Sequence, residues 1–351
     1  MTHKDSQLPI AKPHRSHRPD QFGITPLSSA RWLKAGLLMG GLLCATLFAW
    51  GTARAKTPEV TLHVVNEVPK FLKFYQAAES KHLDPAQRWA LWKKDYGIAA
   101  VPPTPQGQKL ARKRLESVWN KYHSALEQYP RNAVRDEASA RKILPEVARL
   151  LKAGKHPIKV GLVLFVGEYS HNAYTVPGNG GHPATIYLPV EISGRWPRIT
   201  LAHEFTHAVH AEVDGLKNLY VEPLGETVFK EGLAMHASRH IVPGGPPRDY
   251  TPAMLYGATW QKTCLKDQRA ILSGMRPYLD KSSVQVIQQF TTGKGTTGLH
   301  DEVYCAGWVV VGKLLDMGYT YASLARIPEP KMPDFVAQAI RQDIRAKQAT
   351  D

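Results

Sequence analysis

The sequence is poor in cysteine and in long apolar runs, and each shortage excludes a class of protein. Three cysteines in 351 residues are too few for a scaffold built on disulfides. Only one apolar run, residues 35–50, is long enough to interact with a bilayer, so a polytopic membrane protein is excluded. Charged residues are 21% of the chain and hydrophobic residues 43%, a balance that excludes wholesale disorder and leaves ample material for a core.

The sequence supports neither a serine hydrolase nor a dinucleotide-binding enzyme. No Gly-x-Ser-x-Gly elbow occurs, so a serine hydrolase of that type is not supported. Residues 293–298 match the glycine pattern of dinucleotide-binding proteins, but no clear strand precedes them and no βαβ unit surrounds them. We therefore interpret these glycines as a flexible loop.

The formal net charge is +15, and its distribution argues against nucleic-acid binding. Residues 1–55 hold seven bases and two acids, which leaves +10 for the rest of the chain. That excess is spread along helix-like stretches such as residues 109–121 and forms no basic block interleaved with aromatic residues. It predicts a solvated basic surface, with binding to anionic envelope polymers as an alternative.

The amino-terminal segment has the features of an export signal. Bases precede the apolar run 35–50, and small residues follow it at Ala53 and Ala55. This pattern predicts a secretory signal that is cleaved after Ala55. The alternative is an uncleaved membrane anchor over residues 31–53, because the apolar run extended to Ala53 is about nineteen residues long, near the minimum for a spanning helix. The protein is accordingly expected to be periplasmic or secreted, or anchored in the inner membrane if the signal stays on.

Export bears on the two cysteines that lie beyond this segment. Outside the cytosol, Cys264 and Cys305 could oxidise to each other. Two buried free thiols are the alternative, and the sequence leaves this choice open.

The hydrophobic pattern predicts an α+β protein in three parts. After residues 1–55, residues 56–155 form a mainly helical amino-terminal region. Residues 156–351 then begin with β-rich runs at 158–166 and 184–190. Beyond Pro197 the pattern is helical again. The helices are expected near residues 225–239, 252–274, 301–317 and 333–346.

The chemistry-bearing motif is His203-Glu204-Phe205-Thr206-His207, an HEXXH pattern on the helix that begins near Arg198. Residues four apart on a helix lie about 40° apart around it, so both imidazoles project from one face. Two such rings can occupy adjacent corners of a tetrahedral metal site. Glu204 points partly sideways, so it can reach a water at the metal without displacing a ligand.

A catalytic zinc needs a third protein ligand and one open position. We predict Glu231 as that ligand, because it lies on a second helix and Gly232 beside it allows a close helix approach. Glu226 is the strongest substitute. The other downstream acids considered are Glu212, Asp214 and Glu222. His210 and His236 are interpreted as supporting or surface residues.

These motifs resemble those of the gluzincin zinc metallopeptidases, in which a Glu in a setting such as Glu231-Gly232-Leu233-Ala234 follows the histidine pair. The stretch from Val160 to Ala234 is also similar to a bacterial family of predicted zinc-dependent proteases, and residues 89–96 are similar to that family's helical lead. The resemblance implies a zincin-like domain over residues 156–351, with a small sheet and an active-site helix, and one Zn²⁺ per chain.

The resemblance also implies a tyrosine on a late helix that donates a hydrogen bond to the oxyanion. Tyr304 fits that position. From the residues alone a core role explains it equally well, because Tyr304 shares an apolar helical face with Trp308 and Val311. His300 is the fallback donor.

The expected function is that of an exported zinc metallopeptidase. Zinc would be held by His203, His207 and Glu231, with Glu204 as the general base and a peptide or protein as the substrate. The alternative is a non-enzymatic envelope protein that keeps a metal-stabilised zincin core and binds a partner. The intact Glu204 favours the enzyme, because a purely structural zinc site has no use for a base.

Overall fold

A computed structural model of the chain describes residues 59–351, apart from 102–103, 155–156, 171–172, 179–181, 215–221 and 349–351. The predicted signal or anchor in residues 1–55 therefore lies outside the described residues. Within the described ranges, no helix combines the length and the apolar character that a membrane span needs.

The amino-terminal part of the described chain is one strand followed by four helices. The strand β1 spans Val60–Asn66, and the helices are α1 (Val68–Ser80), α2 (Pro85–Asp95), α3 (Pro105–His123) and α4 (Gln128–Leu150). Polar side chains cap two of these helices at their first turn. The side chain of Asp84 accepts hydrogen bonds from two backbone amides at the start of α2 and forms a capping box with Gln87, while Thr104 caps α3.

Three further strands complete the sheet, and helices make up most of the remainder. The strands are β2 (Ile158–Phe165), β3 (Tyr174–Val176) and β4 (Ala184–Pro189). The helices are α5 (Trp196–Asp214), α6 (Leu224–Ile241), α7 (Ala253–Tyr256), α8 (Ala258–Met275), α9 (Val284–Thr291), α10 (Glu302–Asp316), α11 (Tyr321–Leu324) and α12 (Met332–Gln348). The predicted α+β class is confirmed.

Among the described residues, four strands form one mixed sheet in the order β1-β2-β4-β3. β1 and β4 both run parallel to β2, and β3 lies antiparallel to β4 at the edge. The central strand β2 is buried along almost its whole length, as expected for a parallel strand with both faces covered. The edge strand β3 packs on α5, as do its neighbour β4 and the central strand β2.

The structure differs from the sequence prediction at three places. β1 was not predicted, because its seven residues contain polar Thr61, His63 and Asn66 and its pairing with β2 is made across four intervening helices. β3 was not predicted either, since three residues are too few for a periodic pattern. The helix expected over residues 252–274 is broken at Gly257, whose φ of +80° is incompatible with helix continuation.

The carboxy-terminal helices are held together by a disulfide and by a close helix crossing. Cys264 on α8 and Cys305 on α10 are bonded, with their Cα atoms 5.7 Å apart. α6 and α10 cross at Gly232 and Gly307, where a Cβ on either glycine would collide with the backbone of the other helix. This crossing fixes Glu231 and Tyr304 near each other, because each lies within one turn of a crossing glycine.

Candidate metal centre

The two imidazoles of α5 project from one face of the helix, with their Nε2 atoms 3.1 Å apart. The helix carries a continuous apolar face that includes Leu201, Phe205 and Val209, all fully buried, so its rotation about its axis is fixed by packing. His203 and His207 then lie on the side that faces α6 and are half-buried.

The third potential ligand atom comes from Glu231 on α6. Its Oε2 lies 3.1 Å from His203 Nε2 and 3.7 Å from His207 Nε2. These ligand atoms all lie within 4.8 Å of one another. We call His203, His207 and Glu231 the metal corner.

The separations between the three potential ligand atoms of the metal corner fit a zinc ion. Bonds of about 2.0–2.1 Å at tetrahedral angles place two ligand atoms about 3.3 Å apart, and the three separations of 3.1, 3.1 and 3.7 Å are close to that value. Glu231 Oε2 is buried and has no hydrogen-bond partner of acceptable geometry within the described part of the chain. Three potential ligand atoms thus converge with no lysine or arginine among the described residues paired with Glu231, and the donor set of two imidazoles and one carboxylate fits zinc.

The charges at the corner are mutually dependent. Burial alone would raise the pKa of Glu231, but the neighbouring imidazoles hold it well below its ordinary value. Burial likewise opposes charge on His207, yet Glu231 raises its pKa. The carboxylate is therefore ionised and ready to bind a cation at neutral pH.

Glu204 and Tyr304 lie next to the metal corner but are not among its three potential ligands. Glu204 Oε2 accepts a hydrogen bond of 2.6 Å from the hydroxyl of Thr175. Glu231, followed by burial, raises the pKa of Tyr304 well above its ordinary value, so its hydroxyl stays protonated and able to donate. His300, the fallback donor, stacks on Tyr256 at 5.8 Å between ring centroids.

Two cavities, of about 410 and 520 Å³, flank the corner and share Ala173, His203, Glu204 and Tyr304 as walls. The lining of the smaller cavity includes the polar residues Glu222, Thr227 and Lys230. The larger cavity has apolar walls that include Leu110, Met235 and Leu255, together with Arg114. A ligand that occupied both cavities would therefore contact polar side chains in the smaller cavity and several apolar side chains in the larger one.

A second polar group lies next to the corner on α6. Lys230 Nζ is 2.5 Å from a carboxylate oxygen of Glu222, 2.8 Å from one of Glu329 and 3.5 Å from one of Glu226. We call these four residues the lysine cluster. Burial, together with Glu222, raises the pKa of Glu226 to about 7, although Lys230 opposes the shift.

The structure settles where each alternative ligand lies. Glu226, the predicted substitute for Glu231, belongs to the lysine cluster instead, as does Glu222. Glu212 is exposed on α5. His210 is buried beside Phe229, and burial lowers its pKa to about 3, so it is neutral. His236 contacts the carbonyl oxygen of Trp308 through Nε2 at 2.8 Å. The side chain of Asp214 is not among those described.

Sequence reasoning missed Thr175 and the lysine cluster. The run Tyr174-Thr175-Val176, followed by a turn-rich stretch and the strand at residues 184–189, is a hairpin signal that could have revealed β3. Nothing local marks the lysine cluster, because Glu329 is 99 residues from Lys230.

Comparison of the chain with protein-family models, with curated proteins and with solved structures gives no match.

Proposed function

We propose that the protein is an exported, zincin-like zinc metallopeptidase of the gluzincin type. The observation that carries the proposal is the convergence of three potential ligand atoms from His203, His207 and Glu231, in a group that contains no lysine or arginine among the described residues. Glu204 beside this corner supplies the base that a hydrolase needs. The disulfide between Cys264 and Cys305 supports an oxidising compartment, periplasmic or extracellular.

The proposed mechanism divides the work among a few side chains. His203, His207 and Glu231 would hold the zinc, which when bound would supply Lewis acidity and lower the pKa of a water molecule. Glu204 takes the proton from the attacking water and later delivers it to the leaving amine. Tyr304 donates its hydroxyl to the oxyanion that develops on the peptide carbonyl.

The surrounding cleft supports a polymeric substrate. The two cavities meet at Glu204 and Tyr304, so an extended peptide could occupy both while its scissile bond lies at the corner. Residues 31–53 would add membrane association if the signal remains uncleaved.

The proposal is tested by metal analysis and by one substitution. Elemental analysis of the purified protein should find about one zinc per chain, and His203→Ala should lose it. Glu204→Gln should retain the zinc and lower kcat on a fluorogenic peptide library by about a thousandfold, because the variant has no base. Glu212→Gln, an exposed change on the same helix, should behave as wild type.

Two outcomes would contradict the proposal. Full peptidase activity in Glu204→Gln would remove the base from the mechanism. A wild-type protein that binds zinc and gains thermal stability from it, yet cleaves no peptide, would favour the non-enzymatic envelope protein with a metal-stabilised core.

A further inference from the structure

The general base Glu204 is held by the edge strand of the sheet. Thr175 Oγ1 donates to Glu204 Oε2 at 2.6 Å, within the range of charge-assisted O–H···O⁻ hydrogen bonds. Within the described part of the chain, this hydroxyl is the one hydrogen-bond partner of the Glu204 carboxylate. The two residues are 29 positions apart and lie on different elements, β3 and α5.

The alternation of side chains along β3 directs Thr175 to the helix. Tyr174 stacks on Tyr187 of β4, with ring centroids 4.8 Å apart, and so lies on the other face of the sheet. Successive side chains of a strand point to opposite faces, which turns Thr175 towards α5. Thr175 is paired with Ile186, which is fully buried on that same face.

The hydrogen bond restricts the rotation of the Glu204 side chain. A glutamate has three rotatable side-chain bonds, and fixing them costs conformational entropy. Thr175 binds one carboxylate oxygen, Oε2, of a residue that lines both cavities, and the second oxygen takes no part in this hydrogen bond. A base must lie within hydrogen-bond reach of the proton it abstracts, so this restriction bears directly on turnover.

We infer that Thr175 is a positioning residue whose hydroxyl orients the Glu204 carboxylate for proton transfer. The inference rests on the proposed function, since it assigns Thr175 a role in that same site. It also makes β3 part of the catalytic apparatus, although the strand supplies no metal ligand.

The kinetic test compares two substitutions at one position. Thr175→Val replaces the hydroxyl by a methyl group and keeps the β-branched shape that a strand favours. It should lower kcat on the fluorogenic peptide library on the order of tenfold, with KM and zinc content unchanged. Thr175→Ser, which retains the hydroxyl, should recover most of the loss. Thr185→Val, on β4, pairs with Val176 on the opposite face of the sheet and serves as the matched control.

A second test does not depend on activity. The unfolding equilibrium of the full chain is measured for Thr175→Val, Glu204→Ala and the double variant. The coupling between the two sites should be about tenfold in the unfolding equilibrium constant, equivalent to about 1.4 kcal/mol.

The outcomes separate this inference from the proposed function. If the wild type cleaves peptides but Thr175→Val has wild-type kcat, the inference is wrong and the peptidase stands. If Thr175→Ser is as slow as Thr175→Val, the hydroxyl is not the cause and the inference is equally wrong. If the wild type cleaves nothing, the proposed function fails, and the coupling measurement alone decides whether Thr175 orients Glu204.

Discussion

The lysine cluster and the metal corner are neighbours, because Lys230 and Glu231 are consecutive residues of α6. They differ in whether a lysine neutralises their carboxylates. In the lysine cluster three carboxylates surround the ammonium of Lys230, which has three protons to donate. In the metal corner Glu231 faces two imidazoles, and no ammonium or guanidinium group pairs with it among the described residues. Both groups bring three potential metal ligands within 4.8 Å of one another.

This difference favours the metal corner over the lysine cluster as a site for a metal ion. A metal placed among Glu222, Glu226 and Glu329 would be repelled by Lys230, because the ammonium already occupies their centre. The metal corner has the same convergence of ligands without that occupant. Convergence alone therefore does not distinguish a metal site, whereas convergence without a lysine or arginine counter-ion favours one.

The largest expected effect is on the lysine cluster. Lys230→Met should reduce the free energy of unfolding at pH 8 by about 3 kcal/mol, because the buried carboxylates lose their counter-ion. The loss should be smaller at pH 5, because burial raises the pKa of Glu226 to about 7 and this carboxyl is then protonated. Denaturant unfolding measures both values, with the exposed Lys266→Met as a near-neutral control.

The same variant also tests whether the two groups are independent. Lys230→Met should keep about one zinc per chain, since none of the corner ligands is altered. Loss of zinc from this variant would break the comparison, because it would make Lys230 part of the metal site.

An intermediate effect is expected at Tyr304, on the side of the metal corner. Tyr304→Phe should lower kcat roughly a hundredfold, with zinc content unchanged, because the oxyanion loses a donor. Tyr319→Phe, a change at a half-exposed tyrosine, is the matched control. A wild-type kcat in Tyr304→Phe would return Tyr304 to a core role, and a loss in His300→Ala instead would identify the fallback donor.

The smallest effect is a pH dependence that belongs to the lysine cluster. Burial and Glu222 raise the pKa of Glu226 to about 7, so the folded protein retains a proton that the unfolded chain releases from about pH 4.5 upwards. The free energy of unfolding should therefore decrease as the pH rises from about 4.5 to 7, by an amount on the order of 1 kcal/mol from this group.

Glu226→Gln should flatten that decrease when denaturant unfolding is followed across the same window. Burial, with a contribution from Glu191, also raises the pKa of Glu168 to about 7. Glu168→Gln therefore reports the share of the slope that arises outside the lysine cluster. An unchanged slope in Glu226→Gln would mean that Lys230 neutralises the cluster at every pH.

Much of the fold could be predicted because its signals are local. The strands at residues 158–165 and 184–189 are β-rich runs, and the start of α2 is marked by Asp84 and Pro85. β1 could not be predicted, because a polar edge strand is stabilised by its partner strand and carries little signal of its own. β3 has only three residues, so its signal lies in the hairpin that it forms with β4 and not in its own periodicity. The sequence left the pairing of Cys264 with Cys305 open, since only the packing of α8 against α10 brings them together.

The sequence by itself determined that His203, Glu204 and His207 share one helix, with both rings on one side, because helical geometry fixes that relation between residues four apart. Only the tertiary structure decided that Glu231, and not Glu226, completes the corner. α6 is buried on nearly all sides, so no apolar stripe in its sequence shows which face meets α5. The same holds for Thr175, whose partner is chosen by the packing of β3 on α5.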